Sequence, residues 1–129
     1  MTIKRFEDIE AWQLARELTK AIYSVSKSDE FGRDFGLRDQ IRRASGSIMH
    51  NIAEGFDAGS NTEFCRFLRY SQRSASEVRS QLYVALDQGY ISHTQFDELN
   101  TQSQTVHRKI GGFLKYLTSL PQDRKKSKN

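Results

Sequence analysis

The sequence predicts an all-α protein that folds as an antiparallel up-down bundle of four helices. Three observations lead to this prediction. Apolar residues recur at helical spacing, and the single proline, Pro121, follows the last periodic segment. Turn-forming residues at 28–32, 55–61 and 89–92 divide the chain into four segments. Helices of similar length joined by short connections pack most simply as antiparallel neighbours. We therefore expect one bundle domain over residues 1–120 and a flexible basic tail over residues 121–129.

The composition is that of a water-soluble protein with one core. Of the 129 residues, 36% are hydrophobic and 28% are charged, which leaves enough apolar surface to offset the entropy of folding. The single cysteine, Cys65, cannot form an intramolecular disulfide, and no second cysteine is present to share a metal. The sequence has no apolar run of membrane-spanning length and no signal-peptide pattern. We expect a cytoplasmic protein without membrane contact, metal or cofactor.

The first segment, near residues 8–27, carries two apolar stripes. At about 100° per residue, one stripe faces the core. Its members are Ala11, Leu14, Ala15, Leu18, Ala21, Ile22 and Val25. Ile9, Trp12 and Tyr23 lie on roughly the opposite side, where a monomeric bundle would carry charge. Because this second stripe would face water in a monomer, we predict that it lies at an interface between copies of the chain.

The second segment, near residues 36–56, has an apolar arc that is wider than one core face. The residues that should point inward are Leu37, Ile41, Ala44, Ile48 and Ile52. Beside them Ser45, Met49 and Ala53 form a flank on which another helix could approach closely. This flank is therefore the second part of the predicted oligomer interface.

The third and fourth segments each begin with the spacing of a capping box. Ser60 and Glu63 open the third, near residues 60–89, and Ser92 and Gln95 open the fourth, which ends before Pro121. The predicted core residues of the third are Phe64, Phe67, Leu68, Ala75, Val78, Leu82 and Leu86. Those of the fourth are Phe96, Leu99, Val106, Ile110, Phe113, Leu114 and Leu117.

A row of three arginines, Arg66, Arg69 and Arg73, lies opposite the core face of the third segment, with Tyr70 beside it. Guanidinium groups can fork onto phosphates, and a tyrosine can stack on a base. This arginine row therefore predicts binding of RNA or DNA. The competing interpretation is a solvated helix face, in which Arg73 forms an ordinary i,i+4 ion pair with Glu77.

The tail adds further positive charge. The chain carries 20 Lys and Arg against 16 Asp and Glu, a net charge of +4, and much of the excess follows Pro121. The basic residues there are Arg124, Lys125, Lys126 and Lys128. We predict that they extend the surface for nucleic acid, because electrostatic contacts to phosphates are independent of base sequence.

The stretch QIRRASGSIMHNIAEG, residues 40–55, closely resembles the hallmark of the four-helix-bundle family first found in 23S rRNA intervening sequences. The resemblance extends to Trp12 and Tyr23 and to residues 31–37, 63–69, 74–77 and 89–91. It implies a bundle that assembles as a ring-like homopentamer, with no established enzymatic activity. A related bundle in diversity-generating retroelements works with a reverse transcriptase and nucleic acid.

Within this hallmark, Met49 stands where the family usually has proline, so helix two is expected to differ slightly in shape. Asn51 and Glu54 lie one turn apart beside the core stripe, and we expect them and Gly55 to have structural roles. A metal site made of Glu54, Asp57 and Glu63 is disfavoured, because the Glu-x-x-His pattern of metal-binding bundles is absent.

An enzymatic alternative uses Arg43 and His50, which share a helix face. Their spacing is similar to the Arg-x4-6-His motif of another group of helical bundles that contains RNases. A histidine could move protons there while the arginine stabilises a charged phosphate. A two-residue pattern arises often by chance, and Ala44 follows Arg43 where that motif usually has a polar residue.

The prediction from sequence is thus a non-enzymatic, homopentameric helical scaffold that binds RNA or DNA through arginine-rich surfaces. Its expected partners are other copies of itself, a nucleic acid and an unidentified protein. The alternative is an RNA-cleaving bundle.

Overall fold

The described part of the chain, residues 3–121 of a computed structural model, is all-helical and contains no strand. A short 3-10 helix, Phe6–Asp8, precedes five α-helices. These are α1 Glu10–Val25, α2 Asp29–Arg33, α3 Phe35–Asp57, α4 Asn61–Asp87 and α5 His93–Ser119. The all-α prediction is confirmed, and each of the four predicted segments contains one long helix, α1, α3, α4 or α5.

The short helix α2 was not predicted, since residues 28–32 were expected to form a turn. The backbone N–H of Gly32 donates to the carbonyl of Ser28 and closes a helical turn. Phe31 anchors this turn, because its side chain is completely buried. A Cβ at Gly32 would lie 2.8 Å from the carbonyl oxygen of Lys27, so the close approach of these two backbone segments depends on glycine.

The ends of the long helices follow the predicted capping chemistry. The Ser92 hydroxyl accepts from the Gln95 N–H at 3.1 Å, and the Gln95 side chain accepts from the Ser92 N–H at 2.9 Å, which completes a capping box. The Ser60 hydroxyl likewise accepts from the Glu63 N–H. At the other end of α4, Gly89 has φ +76°, and Tyr90 N–H donates to the carbonyl of Ala85. This Schellman geometry ends α4 where predicted.

The long helices enclose one apolar core. Helix α3 packs against α1 and α4, and α5 packs against α4 and α1. Completely buried aliphatic residues come from all of them, among them Leu18, Ile22, Ile41, Ile48, Ile52, Leu68, Leu82 and Ile110. Burial of such side chains is the main favourable term in folding. Some residues that were predicted to face the core are only partly buried, namely Leu14, Ala21, Val25, Phe67, Leu86 and Phe113.

Hydroxyl groups join the helices at the level of this core. Ser71 of α4, itself completely buried, donates to the backbone carbonyl of Ile48 at 2.8 Å. Ser74 and Ser47 share a hydrogen bond of 3.0 Å, and Thr19 of α1 donates to the carbonyl of Ser45 at 3.1 Å. Small side chains at these positions allow the helices to approach closely while each hydroxyl stays hydrogen-bonded.

Candidate nucleic-acid interface

The arginine row lies on the outer face of α4. Arg66, Arg69 and Arg73 are exposed, whereas Leu68 and Ala75 on the opposite face are completely buried. Tyr70 lies between the arginines and is partly buried. The spacing of three and four residues brings these side chains together, because it places them within one strip of the helix surface.

Arg66 is held at one end of the row. Its Nη2 lies 2.7 Å from Oε1 of Glu63, and its Nη1 donates to the Tyr70 hydroxyl at 3.0 Å. The hydrogen bond to Glu63, followed by the one to Tyr70, raises the pKa of Arg66 above its ordinary value. Glu63 therefore neutralises part of the positive charge at this end of the row.

Tyr70 contacts the arginines at both ends of the row. The centre of its ring lies 5.6 Å from the guanidinium carbon of Arg66 and 5.6 Å from that of Arg73. Such cation–π contacts restrict the two arginines. The ring also packs edge-on against Phe67, with 5.9 Å between centroids. Tyr70 thus connects the two ends of the arginine row.

Of the three arginines in the row, Arg69 has the fewest contacts through its guanidinium group. Within residues 3–121, its side chain has no hydrogen-bond or ion-pair partner. Arg73 contacts the Tyr70 ring, and among residues 3–121 it does not form the ion pair with Glu77 that the competing interpretation assumed. Glu77 instead accepts a hydrogen bond from Gln81 at 3.3 Å. The row therefore offers one open guanidinium between two that are held in place.

The structure corrects the position of two predicted interface residues. Ile9 is only 2% exposed and belongs to the core, so it does not share an outer stripe with Trp12 and Tyr23. It is the N-cap residue of α1, with φ −79° and ψ 122°, and the helical angle of 100° per residue does not apply to it. Ser45 is completely buried beneath Thr19. Neither side chain is available at the surface of the chain.

The remaining predicted interface residues reach the surface to different extents. Tyr23 is 42% exposed, and the Arg42 guanidinium lies 4.6 Å from its ring centre. Trp12 is partly buried and packs edge-on against Phe6, with 5.2 Å between centroids. Met49 and Ala53 are also partly buried. Helix α3 continues without a break through Met49.

The hallmark residues Asn51 and Gly55 hold α3 against α4, whereas Glu54 is exposed. The Asn51 amide donates to the carbonyl and to the hydroxyl of Ser47, at 2.9 and 3.0 Å, and Ser47 in turn contacts Ser74. Gly55 is buried, and a Cβ there would lie 2.8 Å from Cδ1 of Phe64. Asn51 therefore acts on the neighbouring helix through Ser47 instead of bonding to it directly.

Arg43 and His50 are both exposed on α3. The His50 ring folds back along its own helix, since a Cβ built on Gly46 would lie 3.4 Å from its Nε2. Within the described range, neither side chain has a hydrogen-bond or ion-pair partner that would orient it for catalysis.

Other kinds of site are not found among the residues described. No group of three His, Cys, Asp or Glu residues between positions 3 and 121 could hold a metal ion. In the same range, no helix is both long and apolar enough to cross a membrane. The predicted nucleic-acid residues Arg124, Lys125, Lys126 and Lys128 lie outside the described residues.

Sequence reasoning missed a second basic cluster, at the junction of α1, α2 and α3. Arg38 and Arg42 lie one turn apart on α3, and both line a surface cavity together with Lys27 and Arg33. The i,i+4 spacing of Arg38 and Arg42 was visible in the sequence. Their meeting with Lys27 and Arg33 was not, because it depends on how the unpredicted helix α2 folds back on α3.

Comparison with known proteins finds a family that the chain matches and a solved structure with a similar fold. Residues 7–112 match the family described as 23S rRNA-intervening sequence protein. A solved structure from Bacteroides thetaiotaomicron, described as a protein with unknown function from the S23 ribosomal protein family, is 22% identical and aligns with a TM-score of 0.75. The alignment covers 81% of this chain and 95% of that chain, and at this identity it shows the fold alone. No significant match was found among curated proteins.

Proposed function

The chain belongs to the 23S rRNA-intervening sequence protein family, and from this premise we propose that it is a non-enzymatic scaffold that binds RNA or DNA through the arginine row. The scaffold is a homo-oligomer, a pentamer by its resemblance to the family, and works in the cytoplasm, where an unidentified protein is a further partner. The observation that carries the proposal is the exposed Arg69 between Arg66 and Arg73, which Tyr70 holds in place.

We infer that α1, α3, α4 and α5 form an antiparallel up-down bundle. Contacts between α4 and α5 support an antiparallel arrangement, because they connect the start of each helix with the end of the other. The ring of Phe64 packs on that of Phe113, and the ring of Tyr83 packs on that of Phe96. Between these two pairs, Gln72 donates to the carbonyl of His107. Residue numbers therefore rise along α4 in the direction in which they fall along α5, which is the arrangement of antiparallel neighbours.

The arginine row suits a phosphate backbone better than base edges. Its guanidinium groups are exposed and carry donors that match phosphate oxygens, whereas a base-reading helix would offer a mixture of donors and acceptors. Arg66 and Arg73 are already restricted by Tyr70, so less side-chain entropy is lost when a phosphate binds. We therefore expect weak sequence preference and a strong dependence on salt.

Oligomerisation would add to this binding and would cover apolar surface. Large apolar side chains are exposed on the single chain, among them Tyr23, Phe35, Tyr83, Val84 and Tyr116. Such side chains are favoured at interfaces between subunits. Copies of the arginine row around a closed ring would bind one long polyanion together, so a weak contact per copy would become a strong one.

The experiment is a salt-series titration of labelled single-stranded and duplex oligonucleotides. The test variant is Arg66→Gln/Arg69→Gln/Arg73→Gln. The matched control is Lys4→Gln/Lys20→Gln/Lys115→Gln, which removes the same charge from exposed positions elsewhere. We expect the test variant alone to lose most affinity and to reduce the salt slope, while light scattering shows unchanged assembly.

Two results would contradict the proposal. Absence of binding by the unmodified protein at low salt would leave the arginine row as a solvated face, and the chain as a scaffold for proteins. An equal loss of affinity in the test and control variants would show that binding follows total charge alone, without a specific surface.

A further inference from the structure

The second basic cluster surrounds a cavity of about 450 Å³ between the end of α1, the helix α2 and the first turns of α3. We call it the basic cavity. Its lining residues are Ser26, Lys27, Asp29, Gly32, Arg33, Arg38 and Arg42. Four of them are cations and one is an acid, and none has a large apolar side chain. Its volume lies in the range of small-molecule sites.

Arg42 is fixed at the inner wall of the basic cavity. Its Nε donates to the hydroxyl of Ser26 at 2.8 Å, and Ser26 is completely buried. The ring of Tyr23 lies below the guanidinium, with 4.6 Å from its centre to the guanidinium carbon. A guanidinium has five N–H donors, and these interactions leave part of that set unused. The remaining donors are therefore presented in a fixed position.

Arg38, one turn before Arg42, is fixed in a similar way. Its Nη1 donates to the carbonyl of Gly32 at 3.1 Å, and its Nε donates to Asp39 at 3.0 Å. Its guanidinium lies over the ring of Phe35, 4.7 Å from the ring centre. Phe35 is 61% exposed, so an unusually large aromatic surface stands next to the cavity.

Arg38 and Arg42 have side-chain hydrogen bonds within the fold that account for their positions, whereas Lys27 and Arg33 have none in the described part of the chain. Arg42 and Arg38 contact the last carbonyl groups of α1 and α2, as cations at helix C-termini commonly do. Lys27 and Arg33 are exposed, and within residues 3–121 neither side chain has a hydrogen-bond or ion-pair partner. Asp29 is the single carboxylate in the lining. The cavity thus holds positive charge beyond what the fold uses.

Two other surface cavities lack this chemistry. The one between α1 and α5, about 720 Å³, is lined by Val25 and Leu99 together with the acids Asp97 and Glu98. The one between the N-terminal segment and α5, about 340 Å³, is lined mainly by apolar side chains such as Ile9 and Phe113. Of these three, only the basic cavity has an excess of cations in its lining.

We propose that the basic cavity binds a phosphate group, which Arg38 and Arg42 hold by hydrogen bonds while Lys27 and Arg33 supply the compensating charge. Arginine groups in fixed positions and flexible lysines are the usual ligands for phosphate. The phosphate comes either from a free phosphate or nucleotide, or from the backbone of single-stranded nucleic acid with a base on Phe35. The site is separate from the arginine row and does not depend on its function.

The test compares ligands at constant ionic strength, with sodium chloride as the reference. Inorganic phosphate, adenosine monophosphate and a short single-stranded oligonucleotide are titrated into the full-length protein by calorimetry, and the melting temperature is followed in parallel. The test variant is Lys27→Gln/Arg33→Gln, and the control is Lys20→Gln/Lys115→Gln. All four positions are exposed and none has a hydrogen-bond or ion-pair partner through its side chain in the described range, so the fold should tolerate both variants.

We expect phosphate to raise the melting temperature of the unmodified and control proteins. The test variant should bind phosphate at least about tenfold more weakly, because it removes the two positive charges that compensate the charge of the phosphate. The arginine-row triple variant should bind phosphate normally. If phosphate and chloride changed the melting temperature equally, the proposed phosphate site would be refuted. It would also be refuted if the test and control variants bound phosphate with equally weakened affinity.

The source of the phosphate is distinguished by Phe35→Ala. If the nucleotide or the oligonucleotide binds more tightly than inorganic phosphate and this advantage disappears in Phe35→Ala, the site takes a base as well as a phosphate. If inorganic phosphate binds as tightly as either and Phe35→Ala changes nothing, the site takes free phosphate. Both results support a phosphate site in the basic cavity.

Discussion

The hydroxyl of Tyr90 donates a hydrogen bond to Oδ2 of Asp34 at 2.9 Å. The other oxygen of this carboxylate, Oδ1, accepts from the backbone N–H of Leu37 at 3.1 Å and caps α3. The Tyr90 ring stacks on buried Phe31, with 5.3 Å between centroids. One tyrosine after the end of α4 therefore connects to both α2 and the start of α3, the elements that border the basic cavity.

The first prediction is that Tyr90→Phe lowers the melting temperature. The substitution keeps the ring that stacks on Phe31 but removes the donor to Asp34, and with it a charge-assisted hydrogen bond. Tyr83→Phe is the control, because Tyr83 is exposed and contacts Phe96 through its ring. Thermal unfolding followed by circular dichroism measures both. Equal melting temperatures for the two variants would contradict this role of the hydroxyl.

The second prediction concerns the pH dependence of the same hydrogen bond. The bond to Asp34, together with burial, raises the pKa of Tyr90 above its ordinary value of 10.0. Because the folded state favours the neutral phenol, its contribution to stability is complete below about pH 10 and is lost as the pH rises through the folded pKa. Urea unfolding of the unmodified protein and Tyr90→Phe should show a stability difference that shrinks above this pH. A constant difference would refute the assignment.

The third prediction is that Gly55→Ala destabilises the fold. A Cβ at this position would lie 2.8 Å from Cδ1 of Phe64 and 2.9 Å from Cβ of Phe67, so α3 and α4 would have to separate. Overpacking of this kind costs about 1–3 kcal/mol. Gly112→Ala is the control, because a Cβ there meets nothing within 4 Å. It should stabilise α5 by roughly 0.5–1 kcal/mol. Chemical denaturation that ranks the two variants in the opposite order would disprove the close approach.

The fourth prediction is that Trp12→Glu weakens assembly. Trp12 is only partly buried within the chain, so in the proposed oligomer a charge there would lie in the interface between copies. Ile9→Ala is the comparison: Ile9 is buried inside the chain, and its truncation should cost about 2–5 kcal/mol of folding stability instead. Multi-angle light scattering and thermal unfolding separate the two effects. A monomeric unmodified protein at all accessible concentrations would remove the basis of this prediction.

The fifth prediction is that His50→Ala does not change how the protein acts on RNA. The variant and the unmodified protein should leave the same fraction of the RNA intact. His50 and Arg43 have no partner among residues 3–121 to orient them, and proton transfer requires a positioned group. Gel analysis of labelled RNA measures this. If the purified protein cleaves RNA and a folded His50→Ala protein does not, RNA cleavage replaces the scaffold as the proposed function.

The long helices could be predicted because apolar residues recur at helical spacing over several turns of each one. Over α4, for example, Leu68, Ala75 and Leu82 recur seven residues apart, and all three are completely buried. Gly89 could be predicted as the end of α4 because a residue with positive φ is usually glycine. Helix α2 could not be predicted, since a helix of 5 residues is too short to show a period.

The errors at Ile9 and Ser45 have physical causes that the sequence does not show. Periodicity describes only residues within a helix, and Ile9 precedes α1 in extended backbone. The small residue Ser45 does allow another helix to approach closely, but that helix is α1 of the same chain, through Thr19. A pattern of small residues predicts a close approach without saying which helix makes it.

The connection between α3 and α4 spans only residues 58–60, and the Phe56 and Phe64 rings on either side of it pack edge to face, 6.1 Å apart. Joining these two helices closes a very short loop, which costs little chain entropy. Contacts that are local in sequence form early during folding. We therefore expect this helical hairpin to be the nucleus of folding and the last part of the chain to exchange its amide protons.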